Sequence, residues 1–291
     1  MDALRYQTID LPDTTLSYID TGPPRSGQTA ETVLFGHGLL FGGWMFTHQI
    51  RLLRSRFRCV APDWRGQGNS VCTPASRRFD MDTLATDTLA LIEALDTGPA
   101  HFVGLSMGGY VGLRLAIRHP AHLRSLALLN SMARAETRRA TVEYTALAWF
   151  QRFCGLDMVR PALEAKLFGP EFPASPQGCA VTESWFARIA DTDRGILRSV
   201  VAGITSRDDV HSDLGRITVP TLVVTAEHDV PTPPAEGLRM ANAIPDARLR
   251  HIAGSGHSSA LERPDEVAGH LVEHLDALSR RTPPSTPGLA R

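Results

Sequence analysis

The amino-acid sequence predicts an α/β fold: a mostly parallel, doubly wound sheet covered by helices on both faces, with a block of helices inserted after the sixth strand. Three observations predict it. Short apolar runs recur along the chain, segments of helical period follow most of them, and in one long stretch the alternation stops and only helical segments remain. Buried parallel strands carry apolar side chains on both faces and therefore read as continuous apolar runs.

The elements follow from these patterns in chain order. Residues 6–19, which turn near Pro12 and Asp13, predict an antiparallel hairpin at one sheet edge. The apolar runs that predict the remaining strands are 32–35, 58–61, 101–105, 125–129, 221–225 and 249–252. Helical period predicts helices over 81–95, 107–119 and 264–278, the last with Pro264 suited to its first turn.

Between residues 129 and 221 the sequence predicts helices only, near 136–154, 157–168, 181–191 and 194–206. We therefore expect a core domain at 1–130 and 210–279, a helical cap at 131–209 and a flexible, proline-rich C-terminal tail at 280–291. The cap is rich in aromatic residues, which favours an apolar pocket beneath it. Candidates to line this pocket are Phe41, Trp44, Trp149, Phe153 and Trp185. The alternative is that these rings only pack helices together.

Composition excludes several classes of function. The chain has 291 residues, 43% of them hydrophobic, which is enough for one large core. Its 30 basic and 31 acidic residues give no overall field to attract nucleic acid or an anionic membrane. With no long apolar run and no leader-like start, we expect a soluble, cytoplasmic protein with no membrane partner. Four cysteines without a paired motif predict reduced thiols, and no cofactor or metal motif occurs. The oligomeric state stays open.

The chemistry centres on Ser106, which lies in Gly104-Leu105-Ser106-Met107-Gly108 between an apolar run and a helical segment. This pattern predicts a nucleophile elbow; the alternative is a serine that caps the helix. A serine hydroxyl needs a base, so the hypothesis requires a downstream acid and then a histidine. Asp229 and His257 supply them in that order, with Glu227 as a competitor for the acid. His257 would act as general base and then general acid.

From about Leu16 to Leu278 the chain resembles the α/β-hydrolase family. Five segments carry the resemblance: His37-Gly38-Leu39-Leu40, Asp63-Trp64-Arg65-Gly66-Gln67-Gly68-Asn69-Ser70, Gly104-Leu105-Ser106-Met107-Gly108-Gly109, Glu227-His228-Asp229 with Thr232-Pro233-Pro234, and Gly254-Ser255-Gly256-His257. The resemblance implies a catalytic triad of Ser106, Asp229 and His257. It also implies an oxyanion hole formed by the backbone N–H groups of Leu39 and Met107.

The same resemblance implies structural roles for three other residues. Asp63 and Arg65 would brace neighbouring loops, and His37 would shape the loop after the third strand rather than take part in catalysis. The residues around Ser106 and at 232–237 are similar to those of 3-oxoadipate enol-lactonases.

The function that these features predict is a serine hydrolase acting through an acyl-enzyme on a small, largely apolar ester or lactone. One alternative is oxygen chemistry without a cofactor, as in the dioxygenase and perhydrolase branches of the family, which use the same triad. Another is a hydrolase-fold receptor that binds a ligand with little turnover.

Overall fold

The computed structural model describes residues 4–24, 31–72, 79–190 and 192–281. The predicted flexible tail therefore lies, from residue 282 onward, outside the described residues. The strands are β1 (Tyr6–Leu11), β2 (Thr14–Asp20), β3 (Thr32–Gly36), β4 (Arg58–Pro62), β5 (Val71–Cys72), β6 (Ala100–Leu105), β7 (Leu123–Leu129), β8 (Thr221–Ala226) and β9 (Ala247–Ile252).

The α-helices of the described residues are α1 (Thr47–Leu53), α2 (Met81–Ala94), α3 (Met107–Arg118), α4 (Arg138–Cys154), α5 (Leu156–Leu167), α6 (Pro176–Ile189), α7 (Arg194–Thr205), α8 (Pro234–Ala243), α9 (Ser259–Glu262) and α10 (Pro264–Arg281). Each predicted helix of the core is present, with ends close to those that the sequence predicts. No described helix is both long and apolar enough to cross a membrane.

The sheet is mostly parallel, as predicted. Its strands lie in the order β1-β2-β4-β3-β6-β7-β8-β9, and β5 pairs with β2 beside this row. The predicted hairpin is confirmed, since β1 and β2 pair antiparallel with Tyr6 opposite Ile19. All neighbours from β4 to β9 along the row run parallel. The loops after these parallel strands therefore meet at one edge of the sheet, which is where α/β proteins bind their ligands.

Helices cover both faces of the sheet. Successive side chains of each central strand point to opposite faces, so each strand buries apolar side chains beneath helices on both sides. In β3, Val33 and Phe35 pack into the apolar layer that includes α1 and α10, whereas Leu34 packs into the layer that includes α2 and α3. All three are buried. The prediction of a doubly wound sheet is thus confirmed.

Four helices, α4 to α7, lie between β7 and β8; we call residues 138–205 the cap. The cap follows the seventh strand in chain order and not the sixth, because the two-residue strand β5 pairs with the outer part of β2. So short a strand gives no periodic signal. Within the cap, α6 and α7 begin where Ser175 and Asp193 accept a hydrogen bond from the backbone N–H three residues on. Gly155, at φ 92°, separates α4 from α5.

Candidate active site

Ser106 occupies the turn between β6 and α3. Its φ of 52° and ψ of −112° are unfavourable for a residue with a side chain, so the surroundings must hold the turn. Its N–H donates to the carbonyl oxygen of Leu129 at 2.9 Å. The Ser131 hydroxyl donates to the Ser106 carbonyl oxygen at 3.0 Å. The Ser106 side chain accepts no hydrogen bond from a backbone N–H at the start of α3, so the alternative of a capping serine is wrong.

The glycines that flank Ser106 are required by close backbone approaches. A Cβ at Gly104 would lie 2.3 Å from the carbonyl oxygen of Gly108, and one at Gly108 would lie 2.0 Å from that of Gly36. Both distances are far below van der Waals contact, and backbone atoms cannot move aside as the end of a side chain can. The sequence Gly-x-Ser-x-Gly is therefore a packing requirement where β3, β6 and α3 meet.

Asp229 and His257 contact each other at the same edge of the sheet. Asp229 follows β8 and His257 follows β9, so the parallel pairing of these strands brings the two loops together. The Nδ1 atom of His257 lies 2.8 Å from Oδ1 of Asp229, and both side chains are buried. A carboxylate oxygen accepts the hydrogen bond in such a pair, so we assign the donor to Nδ1–H of His257, which leaves Nε2 for other contacts. Glu227, the competing acid, instead accepts from the N–H of Gly254.

Asn130 and Thr232, to which the sequence assigned no role in catalysis, hold the Asp229 carboxylate. The side-chain amide of Asn130 donates to Oδ2 at 2.8 Å, and the Thr232 hydroxyl donates to the same oxygen at 2.7 Å. The Thr232 N–H donates to Oδ1 at 2.9 Å. With His257, the carboxylate accepts four hydrogen bonds, which fix its orientation.

Glu262 fixes the loop that carries His257. Its Oε2 atom accepts from the backbone N–H of Gly256, next to the histidine, and from that of Gly169 just after α5, each at 2.9 Å. Burial raises the pKa of the Glu262 carboxyl, although these backbone donors oppose the shift. Glu262 thus joins the histidine loop to the cap.

The loop after β3 is held by a buried, neutral histidine. His37 Nδ1 lies 2.7 Å from the Gly38 carbonyl oxygen, and His37 Nε2 accepts from the N–H of Trp64 at 2.9 Å. Burial lowers the pKa of His37 to about 4, so the ring is uncharged at neutral pH. Its position supports the predicted structural role. Leu39 and Leu40 follow directly, and Leu40 adopts a φ of 64°.

Asp63 and Arg65 brace the loops around this region, as predicted. Asp63 accepts hydrogen bonds from the N–H groups of Gly43 at 2.6 Å and Asn69 at 2.8 Å. The Arg65 guanidinium forms a buried ion pair with Asp87 and a second ion pair with Asp13.

Ser106 and His257 line one cavity of about 110 Å³ between the core and the cap. Leu39 and Phe41 of the core also line it, and Phe41 was predicted to line the pocket. The oxyanion-hole role of the Leu39 N–H stays a prediction. Most of the remaining wall is aliphatic: Leu147, Leu156, Val159, Leu163, Leu167, Leu197, Val201 and Ile204. Met107, at the first position of α3, has an N–H that no carbonyl within the helix can accept.

The charged groups in the cavity wall are paired. Lys166 contacts Glu143 at 2.7 Å, and Glu136 contacts Arg207 at 2.8 Å. The Arg207 guanidinium also lies 4.1 Å from the ring centre of Tyr110. Burial raises the pKa of the Tyr110 hydroxyl, which stays protonated at neutral pH. The cavity is therefore lined mainly by apolar groups and carries no net charge from these pairs.

Two of the predicted pocket residues lie on the outer surface of the cap. Trp149 is 45% exposed and Phe153 is 73% exposed, and their rings stack on each other with centroids 5.8 Å apart. They do not line the cavity, because α4 turns Tyr144, Leu147 and Gln151 toward it instead. The structure thus corrects the pocket prediction at both positions.

The other two corrections are Trp44 and Trp185. Trp44 lies beneath the guanidinium of Arg188 and lines a separate small cavity. Trp185 is fully buried behind the cavity wall, where its ring packs against Phe41 and Phe168. Its Nε1–H donates to the carbonyl oxygen of Leu40 at 2.9 Å. Trp185 thus supports the loop after β3 and does not contact the cavity.

All four cysteines lie among the described residues, and none of them forms a disulfide. Within the described ranges, no group of three or more histidine, cysteine, aspartate and glutamate side chains could hold a metal ion.

Comparison with known proteins agrees with this fold. A family described as "alpha/beta hydrolase fold" matches residues 31–264. The chain is 30% identical to "Putative carbamate hydrolase RutD" of Variovorax paradoxus, over 88% of this chain and 95% of that protein. It is 27% identical to "3-oxoadipate enol-lactonase 1" of Acinetobacter baylyi, over 87% and 90%. A thermophilic esterase from Thermogutta terrifontis superposes with a TM-score of 0.84 at 27% identity, over 94% of this chain and 99% of that one.

Proposed function

This chain belongs to the alpha/beta hydrolase fold family, and on that premise we propose that it is a serine hydrolase that cleaves a small, largely apolar carboxylic ester or lactone. One observation carries the proposal. Ser106 and His257 line the same cavity, and His257 is oriented by a 2.8 Å contact from Nδ1 to Asp229. A strained serine, an oriented imidazole and a buried carboxylate are the three groups that nucleophilic acyl transfer requires.

In the proposed mechanism, Nε2 of His257 takes the proton of the Ser106 hydroxyl while Oγ attacks the carbonyl carbon of the ester. The backbone N–H groups of Met107 and Leu39 donate to the resulting oxyanion. The intermediate then expels the alcohol oxygen, which takes the proton from His257, and an acyl-Ser106 ester remains. His257 next removes a proton from water, whose oxygen attacks this ester. The Ser106 oxygen then leaves and takes the proton back from His257, which releases the acid and restores the hydroxyl. Asp229 stays ionised and stabilises the imidazolium in both steps.

The cavity supports the substrate class. One water needs about 10–15 Å³ on the same measure, so about 110 Å³ has room for a group the size of roughly eight waters, such as a short acyl chain. Aliphatic walls favour an apolar chain. Both cations near the cavity, Lys166 and Arg207, already contact carboxylates. A substrate with a free carboxylate would have to compete with these pairs, so a neutral acyl group fits better.

The first experiment measures turnover of p-nitrophenyl esters by wild-type protein and Ser106→Ala. We expect Ser106→Ala to lose nearly all turnover with an unchanged fold, since the substitution removes only the hydroxyl oxygen. Ser206→Ala, at an exposed serine after α7, is the matched control. An organophosphonate should label Ser106, as mass spectrometry of peptides would reveal. Near-normal activity of Ser106→Ala, or an adduct on another serine, would reject the proposal.

A substrate series then refines the chemistry. It comprises aryl esters of increasing acyl length, several lactones and an aryl carbamate, the last because a relative is named for carbamate hydrolysis. Oxygen uptake with a heteroaromatic substrate is measured alongside. Turnover that consumes oxygen and is absent with all esters would favour the dioxygenase alternative. Tight ligand binding without turnover would favour the receptor alternative.

A further inference from the structure

Helix α4 has apolar residues on two opposite faces. Tyr144, Leu147 and Ala148 on one face line the cavity. On the other face, residues at intervals of seven and four positions lie along one line of the helix. These are Val142, Trp149 and Phe153, exposed by 69%, 45% and 73%, and Phe150 lies beside them at 47%. We call these four residues the outer stripe. Helices at a protein surface normally turn polar residues toward solvent, so the stripe has the character of a contact surface.

Positive charge surrounds the outer stripe. Five exposed arginines lie on α4 and α7: Arg138, Arg139, Arg152, Arg194 and Arg198. The same two helices carry one acidic residue, Glu143, which already contacts Lys166. The Arg198 guanidinium lies 4.7 Å from the ring centre of Trp149, so the cations and the stripe share one surface. None of the five arginines forms a salt bridge within the part of the chain that the structure describes. Positive charge is thus concentrated here on a chain of net charge −1.

We propose that the outer stripe and its arginines dock on an anionic lipid surface. Aromatic rings partition into the boundary between headgroups and acyl chains, where guanidinium groups reach lipid phosphates. A soluble polyanion, such as a nucleic acid, could pair with the arginines but would leave the aromatic rings exposed to water. A second copy of this chain is disfavoured, because a twofold contact through this surface would bring five arginines against five others.

Docking on this face would bring the candidate active site close to lipid. The cavity and the outer stripe lie on opposite sides of α4, and a helix with its side chains is about 10–12 Å thick. An apolar ester dissolved in the lipid would then reach the cavity after a short transfer. The proposal goes beyond the hydrolase function and does not depend on it, since binding is measured without turnover. It differs from the expectation of no membrane partner, which rested on the overall charge and not on its distribution.

The test is binding to vesicles by co-sedimentation. Wild-type protein is mixed with phosphatidylglycerol vesicles or with phosphatidylcholine vesicles, at low salt (about 50 mM NaCl) and at high salt (about 500 mM NaCl). We expect binding to phosphatidylglycerol that weakens strongly at high salt, since surface charges are screened beyond a few ångströms there. Trp149 gives a second readout. It is the most exposed of the four tryptophans, so its fluorescence should shift to the blue on binding and the shift should be absent in Trp149→Phe.

Variants separate the two components of the surface. Trp149→Ser with Phe153→Ser should weaken binding by at least about tenfold through lost apolar burial. Arg138→Gln with Arg139→Gln should weaken it by about fivefold for each arginine removed. Leu52→Ser and Leu238→Ser, at exposed leucines on α1 and α8, are the matched controls and should bind as wild type. Circular dichroism and thermal unfolding check that each variant is folded.

Three results would overturn the proposal. The first is the absence of wild-type binding to phosphatidylglycerol vesicles at low salt. The second is binding that survives both the aromatic and the arginine variants. The third is a dimer, seen by sedimentation velocity, that Phe153→Ser converts to a monomer, because this would assign the stripe to a second copy of the chain.

Discussion

Replacing Trp185 with phenylalanine tests whether the cap supports the loop that carries Leu39. Trp185 is fully buried, and its Nε1–H donates to the carbonyl oxygen of Leu40 at 2.9 Å. Leu40 has a φ of 64°, a conformation that a leucine keeps only when its surroundings impose it. Phenylalanine retains much of the ring but removes the donor. The change therefore removes the hydrogen bond that holds the strained residue Leu40, which lies beside the proposed oxyanion hole.

The expected magnitudes follow from these contacts. Leaving a buried carbonyl without its donor costs about 1–3 kcal/mol of unfolding free energy. Relaxing Leu40 from positive φ recovers about 1 kcal/mol of strain and would turn the adjacent N–H of Leu39. A whole oxyanion donor is worth on the order of 10²–10³ in kcat. We expect a displaced donor to cost about 10- to 100-fold in kcat, with KM changed by less than about threefold, because the oxyanion exists only in the transition state.

The assay is steady-state hydrolysis of a short-chain p-nitrophenyl ester, with denaturant unfolding measured in parallel. Trp149→Phe is the matched control, because it makes the same substitution in the same cap at an exposed ring outside the cavity. Its kcat should equal that of wild type. If Trp185→Phe unfolds more easily but keeps kcat within about twofold, then the loop does not depend on the cap and the reasoning is wrong.

Three further predictions concern other parts of the site. Asp229→Asn should lower kcat with an aryl ester by about 10⁴-fold at nearly constant KM, because an amide would favour the wrong tautomer of His257; a loss below about tenfold would contradict the triad. Gly108→Ala should lower the unfolding free energy by about 3 kcal/mol or more, since its Cβ would lie 2.0 Å from the Gly36 carbonyl oxygen, and wild-type stability in urea would refute this packing argument. His37 has a pKa of about 4 when folded and about 6.5 when unfolded, so the unfolded chain binds the extra proton between these values. The contribution of His37 to the unfolding free energy should therefore be fully present above about pH 6.5 and fall by up to about 3 kcal/mol as the pH drops toward 4. Denaturant titrations of His37→Asn should show an unfolding free energy that depends less on pH.

The sequence predicted those features that depend on local patterns. The strand before Ser106 is a continuous apolar run and the helix after it is periodic, so the turn between them could be located to the residue. The structure gives the reason for the two glycines of the motif, since a Cβ at Gly104 or Gly108 would lie 2.0–2.3 Å from a backbone carbonyl oxygen. Pro264 marked the start of α10, because the fixed φ of proline suits the first turn of a helix.

The pocket predictions for Trp149 and Phe153 were wrong because they rested on the aromatic composition of the cap and not on the direction in which each side chain points. The cap is rich in aromatic residues, but α4 presents Trp149 and Phe153 to solvent and turns Leu147 and Gln151 toward the cavity. Helical period assigns residues to common faces but does not say which face meets the core when both are apolar. That choice depends on how α4 packs against α5 and α7, which is a set of contacts between residues far apart in the sequence.

Asn130 illustrates what strand order adds to a motif. In the sheet, β7 lies between β6, which leads to Ser106, and β8, which leads to Asp229. The residue just after β7 therefore lies between the proposed nucleophile and the proposed acid, and its N–H donates to the carbonyl oxygen of Val224 in β8 at 2.9 Å. Asn130 has no carboxylate and so cannot serve as the acid. Strand order instead places its side-chain amide where it donates to Asp229, so the geometry of the proposed triad depends on a residue with no part in the proposed proton transfer.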